Sequence, residues 1–306
     1  MEARVCAAKD GGGGRSTPAC DGNNLDVAGM RDVLVSLDAK TGEQKWIVDF
    51  VKRYETPLPA FGFVCSPLVT DDGVYVQAAA SFLKIDKKTG KTIWRTLVDD
   101  GGMWGSAFSS PVMATIQGKP QLLVQTRTKL AGVDPADGKV LWEQQIEAFR
   151  GMNILTPTAF DNTVFTSSYG GRSQQLKIDL SGESFSVTQA WDNRTQGYMT
   201  SPVVIGDHAY LLLRSNRFAC IALGTGEIKW QTERSFGDYW SLVAQDDRIL
   251  ALDQKGTLFL IKANTEKFEL LDERKVSDDQ TWAHLTVVGN EIYIRELKGL
   301  AVFRWK

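Results

Sequence analysis

The sequence predicts an all-β fold, a single closed β-propeller of seven four-stranded antiparallel blades, with eight as the alternative count. Three observations carry the expectation. An Asp-x-x-Thr-Gly turn with a tryptophan four residues later recurs along the chain, a Ser-Pro or Thr-Pro pair precedes most copies at one phase, and the copies stand 39 to 49 residues apart. Intervals of that size, without sustained helical periodicity, are the mark of a propeller built from repeated small sheets.

The turn motif reads Leu37-Asp38-Ala39-Lys40-Thr41-Gly42 with Trp46, Ile85-Asp86-Lys87-Lys88-Thr89-Gly90 with Trp94, and Val133-Asp134-Pro135-Ala136-Asp137-Gly138 with Trp142. Looser copies are Ile178-Asp179-Leu180-Ser181-Gly182 with Trp191 and Ile221-Ala222-Leu223-Gly224-Thr225-Gly226 with Trp230; the sixth, Ile261 to Thr265, carries Leu270 in the tryptophan place. The glycine supplies the positive φ that a tight turn between strands C and D requires. The proline pairs are Thr17-Pro18, Ser66-Pro67, Ser110-Pro111, Thr156-Pro157 and Ser201-Pro202, with Ser241-Leu242 and His284-Leu285 as looser versions. Proline cannot donate to a ladder, so these pairs mark an edge strand, strand A. Short polar turns such as Asp71-Asp72-Gly73 before Val74-Tyr75-Val76-Gln77 then join A to B as hairpins. Seven A-strand motifs give seven blades within one domain, 1–306. The last has A, B and C only, so a strand near Ala3 to Ala8 is expected to supply its D strand, with Gly11 to Gly14 as a flexible joint inside residues 1–15.

The 306 residues are 43% hydrophobic and 24% charged, with a net charge of −2. That balance argues against nucleic acid as a partner. No stretch approaches the length needed for a transmembrane segment, and residues 1–10 lack the apolar core of a signal peptide, which implies a cytoplasmic chain or a removed leader. Cys6, Cys20, Cys65 and Cys220 form no CxxC pair and read as small apolar residues in strands, with a disulfide or metal site as the alternative.

The repeated Asp-x-x-Thr-Gly-x-x-x-Trp pattern resembles the tryptophan-docking repeat of the quinoprotein family, the PQQ-like propellers, from Ser16 to Trp305. The resemblance implies that Trp46, Trp94, Trp142, Trp191 and Trp230 dock between neighbouring blades against the Thr-Gly turns, as structural residues. It also implies one of two functions. PQQ-dependent dehydrogenases hold the quinone and calcium at the channel mouth, with adjacent cysteines packing on the quinone. The non-catalytic branch includes the lipoprotein that assists insertion of outer-membrane β-barrels and implies a periplasmic, exported protein of the bacterial cell envelope. This sequence has no adjacent cysteines and none of the long calcium-ligand insertions, so no cofactor is expected.

Functional residues of a propeller gather on the face carrying the D-to-A and B-to-C loops. The D-to-A candidates are Trp104, Arg150, Asn153, Tyr198, Tyr239, Trp240, Trp282 and His284; the B-to-C candidates are Tyr169, Arg172, Arg214 and Arg217. Aromatics mixed with arginines suit an anionic or planar ligand, or a protein hot spot; Trp104, Trp240 and Trp282 read equally as channel plugs. His208 falls in an A-to-B turn on the opposite face from His284, which leaves no Ser-His-Asp set, no His-rich metal site and no catalytic residue. The expectation is a non-enzymatic scaffold presenting its loop face to a protein or peptide. The alternative is a channel-mouth enzyme, either quinone-dependent or acting on a carbohydrate or small anion.

Overall fold

A computed structural model describes residues 16–99 and 107–304. Seven antiparallel sheets follow one another in chain order, as a seven-bladed β-propeller of the expected class and count. The first three consist of Ala19–Cys20, Asn24–Gly29, Val33–Asp38 and Gln44–Asp49; Leu68–Val69, Val74–Ala78, Ser81–Ile85 and Thr92–Thr96; and Val112–Ile116, Lys119–Gln125, Lys129–Val133 and Val140–Gln145. The fourth has Thr158–Phe160, Thr163–Ser167, Ser173–Ser181 and Ser184–Asn193, and the fifth Val203–Ile205, His208–Leu212, Phe218–Ala222 and Ile228–Gln231. The sixth has Trp240–Gln245, Arg248–Asp253, Thr257–Lys262 and Glu269–Lys275, and the seventh Thr286–Val288, Glu291–Arg295 and Leu300–Arg304. The strand expected near Ala3 to Ala8 lies outside the described residues. A single helical turn, Phe50–Tyr54, follows the first sheet, with the Asp49 side chain accepting the Lys52 amide as its cap. Two compact units emerge: the chain up to Pro157 with Ile178–Thr188, and Thr158–Lys177 with the chain from Gln189 onward.

The repeated residues hold their places for visible reasons. Asp38 Oδ1 accepts the Lys40 and Thr41 amides and the Thr41 hydroxyl, while the Gly42 amide, at φ 75°, returns to the Asp38 carbonyl. Asp86 repeats the pattern with Lys88 and Thr89. This Asx-turn satisfies three donors with one carboxylate, hence the motif's acid and hydroxyl. The serine ahead of proline links neighbouring sheets. Ser66 Oγ accepts the Thr17 amide and Ser110 Oγ accepts the Ser66 amide, both at 2.9 Å, so the hydroxyls tie successive A strands together. In the second unit Ser241 Oγ accepts the Leu285 amide in the same way.

Four of the five tryptophans dock on the following turn. Trp46 donates to the Lys87 carbonyl at 2.8 Å, and a Cβ on Gly90 would lie 2.9 Å from its indole. Trp94 meets Pro135 and Gly138 in the same way, and Trp191 meets Leu223 and Gly226. Trp230 donates to the Asn264 carbonyl in a turn that lacks glycine, where Asn264 Oδ1 takes over the acid's role by accepting the Glu266 amide. Trp142 corrects the expectation. It stays on its own sheet, donating to Gln121 Oε1 at 2.6 Å against Gly132, and no atom lies within 4 Å of a Cβ placed on Gly182. The long hairpin Ser173–Ser181 and Ser184–Asn193 carries that turn elsewhere.

Aromatic layers fill the core of the second unit: Phe218, Phe236, Trp240 and Phe259 are all buried. In the first unit Val74–Ala78 and Ser81–Ile85 are buried at every position, as expected of central strands.

Candidate functional site: an aromatic arc on the loop face

In a four-stranded antiparallel blade the B-to-C loop and the D-to-A loop leave the same end of the sheet. In the second unit these loops converge through their backbones. The Arg214 amide donates to the Gln196 carbonyl at 2.8 Å, Phe236 to Asn216 at 2.8 Å, Gln254 to Tyr239 at 2.9 Å, Thr281 to Gln254 at 3.1 Å and Leu297 to Gln280 at 3.2 Å. Side chains reinforce the lacing. Gln196 Oε1 accepts from the Gly170 amide and from Arg214, and Asp238 accepts from Asn216 at 2.7 Å and Gln254 at 3.4 Å. Each loop therefore borrows rigidity from the next.

Four rings stand on this platform in sequence. Tyr169 meets Tyr198 edge-on with ring centroids 4.9 Å apart; Tyr198 and Tyr239 stack at 6.3 Å; Tyr239 and Trp282 stack at 4.9 Å with their planes 24° apart. The Arg214 guanidinium lies over the Tyr169 ring at 4.6 Å and closes one end. The three tyrosines are half-buried, and Trp282, at the other end, is 51% exposed. Burial first, then the neighbouring phenols and Asp238, raises the Tyr198 pKa against the opposing pull of Arg214. The phenol therefore stays neutral and available as a hydrogen-bond donor. Such an arc offers rigid, amphipathic contact area at low entropic cost, the usual makings of a protein hot spot.

Of the residues singled out in the sequence, Tyr169, Tyr198, Arg214, Tyr239 and Trp282 come together here. Trp104 lies outside the described residues. Trp240 is corrected from rim to core: it is 2% exposed and packed on Phe236 at 4.6 Å and on Phe218 and Phe259 at 5.2 Å. Asn153 is likewise buried, its amide donating to the Thr126 and Arg127 carbonyls, so it braces a loop and meets no partner. Arg217 donates to the Thr232 carbonyl beneath the loops, and Arg172 pairs with Asp192 on the exposed face. Arg150 is exposed, at φ 54°, with its guanidinium over Phe149 in the first unit. His284 is exposed and has no hydrogen-bond partner among the described residues. Sequence reasoning missed the lacing residues Gln196, Asn216 and Gln254, whose only signal was their position in B-to-C and D-to-A loops.

The cysteines follow the apolar reading in part: Cys65 and Cys220 are buried and free, whereas Cys20 is exposed. Among the described residues no three His, Cys, Asp or Glu side chains gather where they could hold a metal ion. Trp240 is closed inside the core and offers no stacking face to a planar ligand.

A family model described as outer membrane protein assembly factor BamB matches residues 3–232. The chain belongs to that family. Two curated BamB proteins are similar to it, from Moranella endobia (strain PCIT), 24% identical over 78% of this chain, and from Yersinia pestis, 25% identical over 79%. The match covers 64% of the length of each of these relatives. The crystal structure of BamB from Moraxella catarrhalis superposes with a TM-score of 0.71, at 17% identity, over 93% of this chain and 82% of that one. That likeness carries the fold, and the family match carries the kinship expected from the repeat.

Proposed function

We propose that the chain is a non-enzymatic scaffold of outer membrane protein assembly in the periplasm, presenting its loop face to a protein partner. The observation that carries this reading is the Tyr169–Tyr198–Tyr239–Trp282 arc: four rings, partly open to solvent, on loops laced by backbone hydrogen bonds. The family's character as an assembly factor supports it. No helix among the described residues is long and apolar enough to cross a membrane. The test is binding of the purified protein to the purified outer membrane protein assembly components of its own organism, by biolayer interferometry. Tyr239→Ala and Trp282→Ala are each expected to weaken the contact about tenfold or more, the loss of at least ~1.4 kcal/mol typical of a hot spot. Full affinity in both variants would remove the arc from the interface.

A further inference from the structure

The aromatic arc has a carboxylate beside it that lacks a counter-charge. Asp238 is exposed and immediately precedes Tyr239. Its Oδ1 accepts the Asn216 side-chain amide at 2.7 Å, and its Oδ2 accepts that of Gln254 at 3.4 Å. Both donors are neutral, and the carboxylate pairs with no cation among the described residues. Its charge reaches the Tyr198 phenol, whose pKa it helps to raise. The cations of the neighbouring loops are engaged elsewhere. Arg214 lies over Tyr169 and donates to Gln196, Arg217 donates to the Thr232 carbonyl, and Arg234 forks onto Glu273 with two bonds of 2.7 Å. Lys255 lines a cleft with two carboxylates of its own, Asp278 and Asp279.

Water compensates Asp238 while the loop face is open. A partner that covers the arc changes this, because it strips water from a carboxylate set against Tyr198 and Tyr239. A charge desolvated at an interface opposes association unless the partner brings the opposite charge.

We propose that the partner of the aromatic arc places an arginine guanidinium on Asp238, beside the rings of Tyr198 and Tyr239. This inference rests on the reading of the arc as the protein-binding face. The acceptors select a fork over a point charge. Each carboxylate oxygen holds one amide and keeps a second lone pair, so two acceptors remain side by side for the parallel N–H groups of a guanidinium. The two amides also fix the carboxylate before the partner arrives, and little rotamer freedom is lost on pairing. A guanidinium is more weakly hydrated than an ammonium and packs flat on aromatic surface. Arg214, 4.6 Å over the Tyr169 ring, makes that contact within the chain at one end of the arc.

A double-mutant cycle tests this, with the purified outer membrane protein assembly component that the protein binds in biolayer interferometry. Asp238→Asn keeps the shape of the side chain and removes its charge. It is expected to weaken binding at least about tenfold and to flatten the salt dependence of the association rate. Each surface arginine and lysine of the component is then changed in turn to glutamine. One arginine is expected to cost at least about tenfold against the wild type and less than about twofold against Asp238→Asn. Undiminished affinity in Asp238→Asn, while Tyr239→Ala and Trp282→Ala weaken the contact, would overturn this proposal and leave the arc standing. Undiminished affinity in all three variants, or no binding by the wild type, would remove the arc and the proposal together. Coupling of Asp238 to a lysine of the component, or to no cation of it, would overturn the guanidinium assignment.

Discussion

Asp38, Asp86 and Asp32 carry the same carboxylate into opposite surroundings. In the turns, amide and hydroxyl donors hold Asp38 down to about 2 and lower Asp86 as well. Inside the first unit the Asp32 carboxylate accepts the Ala79 amide, and burial raises its pKa to about 6. The signs differ accordingly. A depressed carboxyl contributes stability that is present above the unfolded pKa near 4 and is lost as pH falls toward 2. A raised one binds its proton more tightly when folded, so its ionisation subtracts stability as pH climbs from about 4 to 6. From Asp32 alone the loss approaches about 3 kcal/mol at neutral pH. Asp32→Asn, which keeps an acceptor for the Ala79 amide, is expected to recover about 1–3 kcal/mol at pH 7.5 and little at pH 4, read from urea unfolding. Equal effects at both pH values would show that folding leaves the Asp32 pKa unshifted. The same scale explains one misreading. Tyr239 and Trp240 are adjacent aromatics at the mouth of one strand, and side chains of successive strand residues point to opposite faces. One of the pair had to face inward, but the strand's starting register, not visible in the sequence, decides which.

At the scale of the blade, the turn glycines and tryptophans were legible because each answers to a local rule. Glycine holds the positive φ, and the indole needs a flat, Cβ-free surface and an acceptor. Trp142 escaped that reading since its docking depends on where the next hairpin goes, a matter of long-range packing. The two arrangements predict different mutational costs. Trp94→Ala is expected to lose about 3 kcal/mol. Gly138→Ala adds a Cβ 2.7 Å from the Trp94 indole on top of a φ of 79°, whereas Gly182→Ala meets open space at φ 62°. Gly138→Ala is therefore expected to cost at least about 1 kcal/mol more than Gly182→Ala. Equal melting points for the two glycine variants would contradict the docking geometry. The serine of the Ser-Pro pair was seen in the sequence without its reason. Its bond runs to a residue 44 to 49 positions away, and only the packed sheets reveal it.

Across the whole chain, the period of the repeat made class and blade count readable, while the two compact units and the convergence of the aromatic loops depended on three-dimensional closure. The sheets also differ in how well they are covered. Every residue of Val74–Ala78 and Ser81–Ile85 is buried, but Thr286–Val288 is exposed throughout, and Leu300 and Val302 are 66% and 50% exposed. Amide exchange tracks such differences in local opening. The amides of Glu291–Arg295 are expected to exchange at least about tenfold faster than those of the second sheet. Comparable protection in both would indicate that the last sheet is covered in solution.

The lacing between loops bears on how such a surface changes over time. Rungs such as Arg214 to Gln196 and Gln254 to Tyr239 are made by main-chain atoms, and main-chain bonds are indifferent to which side chain rides above them. The rings are thus interchangeable cargo on a fixed chassis. One aromatic can be exchanged for another residue without breaking the main-chain bonds that join the loops, so a lineage can rewrite what this face recognises one position at a time while the fold underneath stays the same.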